Sequence, residues 1–135
     1  MATFTKVDSF NESMAEKLHN LGTDQLMVAL TNTAPIVTNT VLANITEIVY
    51  TNISSRIITT TSSATASSIY RLILADLTLT ATGAVGPFRY IVIYNNTALN
   101  KELIGFSDYG SSISLATGET FRLDFDNVNG LLAIS

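Results

Sequence analysis

The sequence predicts a mainly β protein, an antiparallel β-sandwich with one short N-terminal helix. Three observations carry that prediction. Apolar and polar residues alternate with period two through most of the chain beyond Asp24. Clusters of Gly, Pro, Asn, Asp, Ser and Thr separate the alternating stretches at short intervals. Helical spacing occurs near the N-terminus, where Phe10, Met14 and Leu18 recur at i, i+4 and i+8. Without an internal repeat or a shift in composition, residues 1–135 read as a single domain.

Residues 1–8 are extended and β-branched, with Phe4 as an apolar anchor, and read as an arm. Ser9-Phe10-Asn11-Glu12 fits a capping box, opening a helix within residues 9–20 whose regular part runs from about Phe10 to His19. Gly22 is a fitting stop. Leu26, Val28 and Leu30 alternate within a strand from Gln25 to Thr31, and Asn32 to Asn44 reads as loop. Ile45 to Tyr50 and Arg56 to Thr61 have strand composition. Ser62 to Ser68 is of low complexity, a mobile loop or a polar edge. Ile69 to Ala81 keeps one apolar face in phase throughout, which predicts one long strand. Thr82 to Pro87 reads as a turn, and Phe88 to Tyr94, apolar on both faces, as a central strand. Glu102 to Phe106 and Ser112 to Leu115 follow as separate strands. In Thr120 to Asp126, Phe121, Leu123 and Phe125 point inward while Arg122 and Asp124 point outward. Asn129-Gly130 favours a tight hairpin turn into Leu131 to Ile134.

Composition narrows the function. Hydrophobic residues make up 47% and charged residues 13%, against about 25% charged in ordinary soluble domains. Part of that apolar surplus fits a generous β core, and part fits a surface that is buried again in an assembly. The densest apolar run, Tyr90-Ile91-Val92-Ile93-Tyr94, has strand length, so no membrane segment is expected. The seven basic residues are scattered and the net charge is −4, which argues against nucleic acid as a partner. There is no cysteine, hence neither a disulfide framework nor a thiolate site. Met1-Ala2-Thr3-Phe4-Thr5-Lys6 lacks the apolar stretch of a secretory signal.

Catalytic patterns are weak. His19 is the single histidine, and Gly105-Phe106-Ser107-Asp108-Tyr109 lacks the second glycine of a nucleophile elbow. Asp124, Asp126, Asn127 and Asn129-Gly130 form an oxygen-rich cluster, but Val128 occupies a calcium-ligand position; exposed strand residues and a turn explain it better. No phosphate-cradling glycine loop is present. The expectation is a protein without catalytic residues, cofactor or metal.

Certain phrases carry more: Leu18-His19-Asn20-Leu21-Gly22 ending the helix, Thr31-Asn32-Thr33-Ala34-Pro35, Ala43-Asn44-Ile45-Thr46-Glu47-Ile48, Gly86-Pro87-Phe88-Arg89-Tyr90, Leu103-Ile104-Gly105, Asp108-Tyr109-Gly110-Ser111-Ser112 and Gly118-Glu119-Thr120-Phe121. Their order over nearly the whole chain resembles small virion structural proteins of tailed bacteriophages, and most a capsid decoration (cement) protein. That resemblance implies a non-enzymatic protein on the outer capsid surface of the virion, made in the bacterial host cytoplasm. Its implied partners are the major capsid protein and further copies of itself, a homo-oligomer such as a trimer. A tail or head–tail connector component shares the resemblance, and a soluble β-sandwich binding module, for example for glycans through Tyr50 or Tyr109, is the competing class. Candidate contacts are Thr3, Phe4 and Val7 in the arm, which could add a strand to a neighbour, and Thr31, Asn32, Thr33, Ala34 and Pro35 in the first loop. An ordinary edge strand or a frayed terminus competes for the arm. A plain strand exit competes for the loop.

Overall fold

The apolar stretch that reads as a central strand occupies the middle of the largest sheet. A computed structural model describes residues 3–134. Its elements are β1 (Thr5–Lys6), α1 (Phe10–Ala15), β2 (Leu26–Thr31), β3 (Ile57–Ile58), β4 (Thr60–Ala66), β5 (Ile69–Leu74), β6 (Leu77–Thr80), β7 (Val85–Asn95), β8 (Leu103–Leu115), β9 (Thr120–Leu123) and β10 (Leu132–Ile134). Strands account for 48% and helix for 7%, so the chain is mainly β with one short helix. All strand pairs are antiparallel.

A five-stranded sheet has the order β1-β8-β7-β2-β3; β10-β5-β4 and β6-β9 form smaller sheets. One core joins all three: Leu30, Ile91 and Ile93 from the first, Leu72 and Leu74 from the second, Leu79, Phe121 and Leu123 from the third. After β2 the chain passes to the far edge of β8, where Val41 bridges Glu102, and returns to the outer edge of β2, where Glu47 bridges Thr31. The intervening residues, with a 3₁₀ turn at Leu42–Asn44 and buried Ile45, therefore cross a face of the sheet.

Several expectations change. The helix stops at Ala15, because Lys17 takes a left-handed φ of 65°. Leu18 then leaves the apolar stripe, 41% exposed, while His19 turns inward. No capping box forms: Ser9 itself has helical dihedrals (φ −74°, ψ −5°) and its side chain makes no capping hydrogen bond. Ile45 to Tyr50 contributes only the Glu47 bridge, not a strand. Ile69 to Ala81 splits into β5 and β6, which belong to different sheets. The break at Asp76 has a cause: its carboxylate accepts the Phe125 N–H at 2.9 Å and bonds Arg122, tying the chain to the β9 side.

Conversely, Glu102 to Phe106 and Ser112 to Leu115 lie in or beside one long strand, β8, with Gly110 at φ 102° absorbing an irregularity. Gly86 and Pro87 lie inside β7 rather than in a turn, and Ser62 to Ala66 joins the edge strand β4, the polar-edge alternative. Asn129-Gly130 makes no hairpin, since β10 pairs with β5 and not with β9. Gly130 is needed there for another reason: its φ is 82°, and a Cβ would lie 2.5 Å from the Leu72 carbonyl oxygen. The arm resolves as an edge strand of its own sheet, with Thr5 and Lys6 opposite Phe106 and Gly105. Residues 1–2 of the arm lie outside the described residues.

Candidate interaction surfaces at the two ends of the central sheet

Where β2 ends against the middle of β7, three of the informative phrases meet. Thr31 stands opposite Tyr90, and Tyr90 opposite Asp108, so β2, β7 and β8 bring them into one row. Ser112 Oγ donates to Asn32 Oδ1 at 2.7 Å, linking the first loop to the long strand. Arg89 makes two hydrogen bonds to the Asp108 carboxylate, at 2.8 and 3.0 Å. Those bonds, with the Gly110 N–H, hold the Asp108 carboxyl below the usual carboxylate range. The pair is open to solvent, with side chains 39% and 45% exposed.

Not every candidate contact is available there. Thr31 is fully buried, and its hydroxyl accepts the Thr33 N–H at 3.0 Å, shaping the exit from β2. Pro35 is buried too, leaving Asn32, Thr33 and Ala34 exposed. Val7 belongs to the core at 2% exposure, because its N–H bonds the Ile104 carbonyl and its side chain follows β1 inward. Thr31, Pro35 and Val7 are therefore corrected from contact candidates to structural residues. Thr3 is exposed; Phe4 is half-buried with its ring against Gly105, where a Cβ would sit 2.5 Å from its Cζ. Phe4 also lines a depression of about 410 Å³ with Asp124, Phe125, Asp126, Asn127, Gly130 and Leu131. The Asp126 carboxylate in that depression accepts the Val128 and Asn129 N–H groups at 2.8 Å each, and so closes a turn.

The opposite end is built around Asn95, which is fully buried. Its Oδ1 accepts the N–H groups of Thr97 and Ala98, at 3.0 and 3.2 Å. Its amide nitrogen therefore faces the other way, donating to Asp24 Oδ2 at 2.6 Å and to His19 Nδ1 at 3.0 Å. With Nδ1 accepting, the neutral ring carries its proton on Nε2, which has no hydrogen-bond partner among the described residues. Burial holds the His19 pKa below its ordinary value, while Glu102, Asp24 and the Leu103 backbone pull the other way. Through Asn95, His19 and Asp24 the cluster braces the fold.

What it braces is the turn after β7. Gln25 N–H donates to Thr97 Oγ1 at 2.9 Å, and Asn96 bonds Gln25 through both its backbone and its side chain, at 2.8 Å each. Lys101, at φ 54°, returns the chain, with its N–H on the Ala98 carbonyl. Leu99 stands at the tip, 93% exposed. A depression of about 300 Å³ on one side includes Leu18 and Ala98, and one of about 380 Å³ on the other includes Leu42, Ala43 and Ile45.

Sequence reasoning missed this surface. The signal was a leucine inside Asn95-Asn96-Thr97-Ala98-Leu99-Asn100, a turn otherwise small or polar. Of the two tyrosines considered for glycans, Tyr50 is committed: its hydroxyl bonds Glu47 and Leu30, and Arg56 stacks 3.6 Å from its ring centre. Tyr109 is 51% exposed. Comparison of the chain with protein-family models, with curated proteins and with solved structures finds no match.

Proposed function

We propose that this chain is a non-enzymatic structural protein of a tailed-phage virion, a capsid decoration protein that docks on the major capsid protein as a homo-oligomer. The observation that carries the reading is Leu99. A fully anchored turn holds a large apolar side chain in water between two apolar-edged depressions. A leucine so placed gains nothing for the isolated chain, but a partner that covers it removes roughly its whole apolar area from water. Asn32, Thr33 and Ala34 offer a second, polar contact at the other end of β2.

Copy number in purified particles, by quantitative mass spectrometry against the major capsid protein, tests the assignment. A ratio near one to one is the expected result. A few copies reassign the chain to the tail or connector, and absence from the particle overturns the virion reading. Leu99→Asp tests the surface: it leaves the fold's stability within about 0.5 kcal/mol and abolishes particle binding. A variant that still binds with wild-type affinity removes the turn from the interface.

A further inference from the structure

A second feature is independent of that surface. A partly open pocket of about 240 Å³ lies between the β7–β8 pair and β9. Ile91 and Ser107 are direct cross-strand partners at its wall, and Phe121 and Leu123 face them from β9. Tyr109, two residues beyond Ser107 and so on the same side of β8, meets the Phe121 ring edge-on with centroids 5.2 Å apart. Arg122 is at the cavity too, but its guanidinium is committed to Asp76 at 2.6 Å.

Ser107 is the anomaly. It is 1% exposed, and its hydroxyl has no hydrogen-bond partner among the described residues. A buried hydroxyl without a partner is disfavoured, and native folds satisfy nearly all such groups. Ile91, Phe121 and Leu123 give the wall an apolar side, with Arg122 and Asp124 also lining it, so an aliphatic residue here would both fill the space and remove the unpaired group. Ser107 instead leaves empty volume and an unanswered donor and acceptor at the same place.

We infer that this cavity binds a single neutral aromatic ring carrying one hydrogen-bonding oxygen, the ring lying against Ile91, Phe121 and Leu123 and the oxygen reaching Ser107 Oγ. Size supports one ring: an apolar cavity on the order of 150 Å³ already holds benzene, and drug-sized ligands need about 300 Å³ or more. An anion is disfavoured, because Arg122 is already paired with Asp76 and the Asp124 carboxylate also lines the pocket. The Tyr109–Phe121 corner suits a ring, because aromatic rings pack edge-to-face or offset against one another. The shared chemistry is that of a phenol, whose source is either a free small molecule or a tyrosine side chain of another protein.

Titration of the ¹⁵N-labelled protein with p-cresol and with toluene, followed by NMR, tests this. The expected result is saturable shifts at Ile91, Ser107, Phe121 and Leu123, with p-cresol binding about fivefold to tenfold tighter than toluene, the worth of one hydrogen bond. Ser107→Ala abolishes that preference and keeps toluene binding. Absence of saturable shifts overturns the inference, as does equal affinity for the two ligands in the unmodified protein, which would mean that water satisfies Ser107. That comparison decides the matter even if the variant fails to fold. N-acetyl-tyrosinamide separates the sources: binding assigns the site to a protein tyrosine, and exclusion while p-cresol binds assigns it to a free phenol.

Discussion

The two ends of β2 are held against its neighbours in the central sheet with opposite chemistry. At the Asn95 end the polar groups are inside: an amide, an imidazole and a carboxylate, hydrogen-bonded to one another and to the turn they shape. At the Asp108 end they are outside, in an ion pair and a Ser112–Asn32 bond that water can replace. Buried hydrogen bonds to a charged acceptor contribute strongly because the alternative is an unsatisfied group. Exposed pairs contribute little, since water and salt screen them. One end is therefore a rigid mount for Leu99, and the other an adjustable polar rim.

Asn95→Ala strikes the mount hardest. It strands Asp24, His19 and two turn amides at once, and lowers stability by about 3 kcal/mol and the thermal midpoint by about 10 °C, readable by calorimetry. A midpoint within a degree or two of the parent's would mean that the network is ornamental. Acidification strikes the same network more gently. His19 titrates near 6.5 when unfolded and lower when folded, so below that pH the unfolded chain takes up more protons than the native one. Its contribution is complete above about pH 6.5 and is lost as the pH falls from there toward the lower folded value, where the loss levels off. Thermal melts between neutral pH and about pH 5 show that slope, and His19→Gln flattens it; an unchanged slope assigns the effect to other groups. The carboxylates of Asp76, Asp108 and Asp126, all held low, act in the more acidic range. Arg89→Gln gives the smallest effect. The exposed pair is lost, the thermal midpoint stays near the parent's, and parent and variant become indistinguishable in high salt. A large drop there would erase the contrast between the ends.

Much of the fold was legible because it rests on local pattern. The clean alternation of Phe121, Leu123 and Phe125 against Arg122 and Asp124 appears as written, buried and exposed in turn. Phe88 to Tyr94 sits centrally, as a strand apolar on both faces must. The errors came where pattern is indifferent to partner. An unbroken apolar face from Ile69 to Ala81 cannot reveal that the Asp76 carboxylate is claimed by Phe125 and Arg122, 49 and 46 residues away. Leu99 was invisible for a related reason: a leucine in a turn has no period, and its exposure follows from contacts that Asn95, Gln25 and Lys101 make elsewhere.

By itself, then, the sequence determined the mainly β class, the central strand and the inward-facing set, since period-two burial is a property of neighbouring residues. Only the tertiary structure decided which strands share a sheet, that the arm closes on its own β8, that Thr31, Tyr90 and Asp108 align, and that Ser107 borders an empty space. Each of those depends on pairing between distant segments, and pairing is chosen by the summed packing and hydrogen bonding of the whole chain.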